Sequence, residues 1–198
     1  MKKVQLLICT FFIAALAEAQ IQFGIKGGLN ISNFSVSPSS PLISYHNRSH
    51  INAGLLVLVP VKNNFKAQAE LQYSGQGTNS KVSLISTNYK LQYLNIPVLL
   101  KYIDASGLFA EIGPQLGFLL GAKATTGSVT TDYKSLFTSA AFSGVLGIGY
   151  LSSYNIGLDL RYNLGLSKIG DGSFSSTSIK NKVFQASLFY IFGEGKKK

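Results

Sequence analysis

Residues 156–166 read Ile-Gly-Leu-Asp-Leu-Arg-Tyr-Asn-Leu-Gly-Leu, and the fold is decided in this stretch. In an extended chain successive side chains point to opposite sides, with period two. Ile156, Leu158, Leu160, Tyr162, Leu164 and Leu166 therefore share one face, and Gly157, Asp159, Arg161, Asn163 and Gly165 share the other. A soluble antiparallel sheet normally turns its polar face to water. Here that face sets an acid and a base among glycines, which suits a narrow polar interior. The apolar face carries broad uncharged side chains, which suits lipid. The stretch reads as one strand of a transmembrane β-barrel, and the other strands are expected to repeat its design.

Composition agrees. Of 198 residues 46% are hydrophobic and only 13% charged, against roughly 25% charged in soluble domains. Twenty glycines, 23 Phe plus Tyr and no Trp favour sheet and tight turns over helix. No apolar run reaches the 18 or so residues of a membrane helix, so a membrane form of this chain must be a closed barrel.

The first nineteen residues read as a secretory signal, leaving 20–198 as the barrel domain. Lys2 and Lys3 form a basic start, Val4 to Ala17 an apolar segment, and Ala17-Glu18-Ala19 a small-x-small cleavage site. Cys9 falls inside the signal, so the mature chain has no cysteine for disulfides or thiolate chemistry. Loss of Lys2, Lys3 and Glu18 takes the net charge from +10 to +9. Outside Lys196 to Lys198 the basic residues are scattered, which argues against nucleic acid and toward anionic lipid head groups.

Along the mature chain eight segments alternate: 21–33, 50–61, 65–77, 88–102, 108–120, 140–151, 156–166 and 181–192. Each is close to or above the 9–11 residues that a tilted strand needs to cross a bilayer. Segment 65–77 is the clearest, with Phe65, Ala67, Ala69, Leu71 and Tyr73 opposite Lys66, Gln68, Glu70, Gln72, Ser74 and Gln76. In 88–102 the phase slips: Leu94, Ile96, Val98 and Leu100 point outward below, whereas Tyr89, Leu91 and Tyr93 are expected outward above. Pro97 cannot donate to a ladder, and a bulge is expected there. The phase of the glycine-rich 140–151 stays open. Connections alternate strictly, with long loops at 34–49, 78–87, 121–139 and 167–180 and short turns at 62–64, 104–107 and 152–155. Outer-membrane barrels place long loops outside and short turns in the periplasm. A soluble lipocalin-like or streptavidin-like barrel shares the up-and-down order but would carry its apolar residues inside. The expected fold is all-β, an eight-stranded antiparallel up-and-down transmembrane β-barrel, integral to the outer membrane and in contact with its lipid.

Four stretches, GIKGGLNISNF (24–34), YLNIPVLLKY (93–102), EIGPQLGFLLGAK (111–123) and LDLRYNLGLSKI (158–169), together resemble the small PorT-like outer-membrane β-barrel family. The likeness spans essentially the whole mature chain. It implies an integral outer-membrane barrel; one branch of the family is an accessory of a protein-secretion system. The sequence departs from the pattern at Asn95, where an acidic residue is common.

The strand phases put Lys26, Lys66, Glu70, Lys101, Glu111, Asp159 and Arg161 inside. An interior of about eight strands has room only for side chains, and unpaired charges there are costly. A plug of salt bridges is expected rather than an ion path, with Asp159 or Glu111 as the partner of Arg161. His46 and His50 lie where a loop enters a strand, with Arg48 between them and no further ligands at suitable spacing, so no metal or other cofactor is expected. The rim serines, Ser44 and Ser49 among them, are too generic to mark a catalytic dyad. The leading expectation is a structural, interaction or secretion-accessory barrel that works through its loops on envelope or secretion-system proteins. A porin-like small-solute channel and a rim-sited enzyme are the alternatives.

Overall fold

The computed structural model describes residues 21–37, 43–82, 85–170 and 178–193; the expected signal at 1–19 lies outside them. Ten strands make up most of the described chain: β1 (Gln22–Ser37), β2 (Ile43–His46), β3 (Arg48–Lys62), β4 (Phe65–Val82), β5 (Ile85–Ile103), β6 (Leu108–Thr126), β7 (Val129–Asp132), β8 (Ala140–Leu151), β9 (Ile156–Gly165) and β10 (Ser178–Ile191). Eight of them form a ring in the order β1-β3-β4-β5-β6-β8-β9-β10, closed by β10 on β1, with every neighbour antiparallel. Closure gives every strand of the ring a hydrogen-bonded neighbour on both sides, as a strand in lipid requires. β2 continues β3 along β4 beyond a break at Asn47, and β7 pairs only with the far end of β6.

The stagger of the ring follows from its registers. From Gln22 the path Leu58, Gln68, Leu99, Gly113, Val145, Asn163, Val183 returns to β1 at Ser32, ten residues on. Eight strands with that shear tilt by about 40° and enclose a space that side chains can fill.

Burial is inverted relative to a soluble sheet. Along β9 it alternates without a break, Leu158 being 46% exposed and its neighbour Asp159 0%. The same holds around the wall: Ile25, Leu55, Leu71, Val98, Ile112, Ile148 and Leu188 face outward. In β8 the outward set is Phe142, Leu146, Ile148 and Tyr150, with Val145 and Gly147 inward, which fixes the phase left open above.

The short turns, the start of β1 and the end of β10 gather at one end. Asn155 ties them together from a left-handed backbone at φ 63°, a conformation that Asn tolerates better than most residues. Its carbonyl accepts the Ile191 N–H at 3.0 Å and its side-chain amide donates to the Gly193 carbonyl at 3.0 Å.

At the other end the structure corrects the loop boundaries. Segments expected as loops at 34–49, 78–87 and 121–139 contain strand: β1 runs to Ser37, β4 and β5 pair out to Val82 and Ile85, and β6 continues to Thr126 against β7. In 167–180 strand resumes at Ser178, with residues 171–177 outside the description. The phase of β5 is also corrected. Leu91 and Tyr93 face inward in step with Asn95, Pro97, Leu99 and Lys101, so this strand does not slip. The bulge lies on β6, where Leu120 is the extra residue between Leu119, paired with Tyr93, and Gly121, paired with Gln92. Pairing apolar Leu91 and Tyr93 with the lumen is possible because they sit in an apolar layer there.

Candidate functional site

The lumen is the candidate site, and it is layered. Nearest the turns Leu56, Leu58, Phe109, Phe189 and Ile191 form an apolar floor. Two glycines on the wall admit its rings: a β-carbon on Gly149 would run into the Phe109 ring, and one on Gly157 into the Phe189 ring. The Lys101 ammonium lies over both rings, 4.0 Å from the centre of Phe109 and 5.0 Å from that of Phe189. Such cation–π contacts strengthen where water is excluded.

Above the floor six buried charges from five strands meet. Arg161 is central. Its guanidinium grips Glu70 through both terminal nitrogens, Nη2 to Oε1 at 2.6 Å and Nη1 to Oε2 at 3.0 Å, and its Nε donates to Glu111 Oε1. This two-pronged geometry matches a planar guanidinium to a carboxylate. Lys26 reaches Asp159 Oδ2 at 2.6 Å and Glu70 Oε1 at 3.7 Å, and Lys101 reaches Glu111 Oε2 at 3.0 Å. Three cations and three anions leave the layer neutral, and every side chain in it is at most 2% exposed. Gly147 makes room for it, since a β-carbon there would lie within 3.0 Å of Glu111 and Arg161 side-chain carbons.

Six of the seven expected interior charges are thus brought together. The seventh, Lys66, is half-buried toward the turn end and donates to Gln22 Oε1 at 3.1 Å. Of the two partners expected for Arg161, Glu111 bonds it directly; Asp159 stands 3.5 Å away and is held mainly by Lys26. The two-pronged partner is Glu70, 91 residues distant in sequence. Strand phase placed Glu70 inside but carries no information on which side chain lies across the lumen.

The next layer is amides and hydroxyls. Asn52 Oδ1 accepts from Gln72, Gln185 and Ser187 at 3.1–3.3 Å, while its amide donates to Asn30 Oδ1 at 3.0 Å. Asn30 passes the chain on to Ser74 Oγ and the Gly75 carbonyl, both at 2.9 Å. Asn95, the departure from the acidic pattern, lines this region among Gln76, Gln115 and Asn163. The free space there is about 10 Å³, the room of a single water. At the loop end Phe34, Leu91, Tyr93, Leu119, Phe137, Ile169 and Ile179 form an apolar lid. Sequence pattern does not reveal the lid: alternation puts Leu91 and Tyr93 outward, and Phe137 and Ile169 come from connections whose pattern is not periodic.

The sequence matches the family model described as outer membrane protein beta-barrel domain over residues 16–171. No curated protein matches it. Among solved structures, Neisserial surface protein A superposes with a TM-score of 0.53 at 15% identity, covering 86% of this chain and 97% of that one. The attachment invasion locus protein Ail of Yersinia pestis, in complex with the heparin analogue sucrose octasulfate, gives 0.50 at 13% identity, covering 87% and 99%. At such identity the likeness is one of fold. A polar lumen, an apolar outer wall and a closed ring of eight strands agree with the family match: the chain belongs to the outer membrane protein beta-barrel domain family and is integral to the outer membrane.

Proposed function

We propose that this barrel conducts no solute and is not an enzyme, and that it acts as an interaction protein through the hairpins that project at its loop end, facing outward from the cell. The observation that carries this reading is the filled lumen. An apolar floor, six interlocked charges, an amide layer and an apolar lid occupy it, and the cavity between the amides and the lid is only about 10 Å³, whereas water-filled channels belong to wider barrels. The projecting part is built to persist: β6 and β7 continue their ladder beyond the wall through Lys123–Asp132 to Thr126–Val129. The stretches around Lys26, Asn95, Glu111 and Arg161 that resemble the PorT-like barrels support a place in that subfamily, and with it a secretion-accessory role among envelope proteins.

Complementation separates loops from lumen. In a deletion strain, a barrel whose residues 125–132 are replaced by a two-residue turn should assemble yet fail to restore the envelope phenotype. A barrel with intact hairpins and the lumen change Asn163→Ser should restore it. Full restoration by the shortened barrel would overturn the reading.

A further inference from the structure

On the outer wall, where the apolar band ends, several basic side chains share one spot. Lys90 and Lys123 are directly opposed in the β5–β6 ladder. Both point away from the lumen, because Leu91, Ala122 and Ala124 fill the inward positions around them. Like charges directly opposite one another destabilise a strand pair. Among the described residues no side chain makes an ion pair with either ammonium. Asp132 faces Lys123 from β7, but its Oδ1 accepts the Lys134 backbone N–H at 2.8 Å.

Two more groups approach from β3. Arg48 Nη1 donates to Asn88 Oδ1 at 3.3 Å, two residues from Lys90 along the same strand. His50 packs on Gly75, where any side chain would collide with it, and it lies within the fields of Arg48 and Lys90. Its Nε2 is buried without a hydrogen-bond partner. One rung toward the membrane the opposed pair is Gln92 and Gly121, and beyond it come the exposed Phe118 and Leu120. The basic spot therefore sits at the border between the lipid-facing band and the polar hairpins, at the level of lipid head groups.

We propose that Lys90 and Lys123, flanked by Arg48, hold a phosphate group of an outer-leaflet lipid against the barrel wall. The two ammonium groups supply charged donors on either side of the phosphate and lose their mutual repulsion. Arg48 adds donors that suit phosphate oxygens. The Gln92 amide lies over Gly121, its Oε1 3.1 Å from where a β-carbon would stand, so the rung below the lysines is polar, and the acyl chains lie beyond it along Phe118 and Leu120. The proposal depends on the outer-membrane placement of the barrel and is independent of what the hairpins bind.

Native mass spectrometry of the full barrel, released from detergent, tests it. The probes are diphosphorylated lipid A, the same lipid without its phosphates, and inorganic phosphate. The wild type should retain the phosphorylated lipid and strip clean of the dephosphorylated one. Lys90→Gln and Lys123→Gln should each lower retention about five-fold, the worth of one lysine near an anionic surface, and Lys168→Gln, an exposed lysine elsewhere at the loop end, should change nothing. The single variants remove a like-charge clash, and an unchanged far-UV spectrum with a melting temperature no lower than that of the wild type should show them folded. Equal retention of the two lipids, an equal loss from Lys168→Gln, binding of inorganic phosphate as tight as that of the lipid, or undiminished retention by both single variants would each overturn the proposal.

Discussion

Arg161→Met removes the centre of the lumen cluster while keeping much of its volume. Three charge-assisted hydrogen bonds go at once, two to Glu70 and one to Glu111, from a side chain that is 1% exposed. The layer is left with two cations against three anions. Breaking a buried pair in this way costs about 3–5 kcal/mol, because the stranded charge cannot recover its hydration. The lower part of that range is expected here: Glu111 keeps Lys101 at 3.0 Å, and Glu70 keeps Lys26 at 3.7 Å. Adding Glu70→Gln restores neutrality and should recover part of the loss. A double-mutant cycle should then give a larger coupling for Arg161 with Glu70 than with Asp159, which stands 3.5 Å away and has Lys26 at 2.6 Å. The chain has no tryptophan, so unfolding in detergent is followed by far-UV circular dichroism and by the gel shift between folded and unfolded barrel. A loss under about 1 kcal/mol, the range of exposed ion pairs, or a coupling to Asp159 greater than that to Glu70, would refute the cluster as described.

Leu158→Arg, on the lipid-facing side of β9, should cost about 2–4 kcal/mol near the bilayer midplane, measured by folding into vesicles, with Leu158→Phe nearly neutral. Gly157→Ala places a methyl group against the Phe189 ring and should destabilise by about 1–3 kcal/mol, as overpacking does; the second change Phe189→Leu should relieve it in the same unfolding assay. Cysteine at Ser135, exposed at the loop end, should react with a membrane-impermeant maleimide on intact cells. Cysteine at Ser153, in the turn between β8 and β9, should react only after the outer membrane is opened.

The eight-stranded ring was legible because its physics is local. Asp159 between Leu158 and Leu160 states both faces of the wall at once, and the alternation of short turns with longer connections states the order. Past the lipid band the signal fades. There polar side chains occupy both faces of a strand, buried ones such as Ser80 included, so Ser80, Thr87 and Thr125 read as loop although they lie in ladders. Leu91 and Tyr93 misled for the opposite reason: an apolar residue marks the lipid side only while the lumen beside it is polar, and at the lid it is not. Pro97 draws the expected bulge to β5 because it is visible there, whereas the extra residue Leu120 on β6 has no such mark. Within the charge layer each member could be assigned inward by phase. Which carboxylate meets Arg161 depends on the shear of the closed ring, and that is a property of all eight registers together.

The central claim is a barrel closed by its own side chains. Single-channel recording of the purified wild-type barrel in a planar bilayer tests it most directly. The claim predicts a silent baseline at applied potentials up to about 100 mV, where moving one charge across the membrane is worth only about 2.3 kcal/mol, against 3–5 kcal/mol to break one buried pair. Reproducible ohmic steps from the wild-type protein would contradict it and make the lumen a channel.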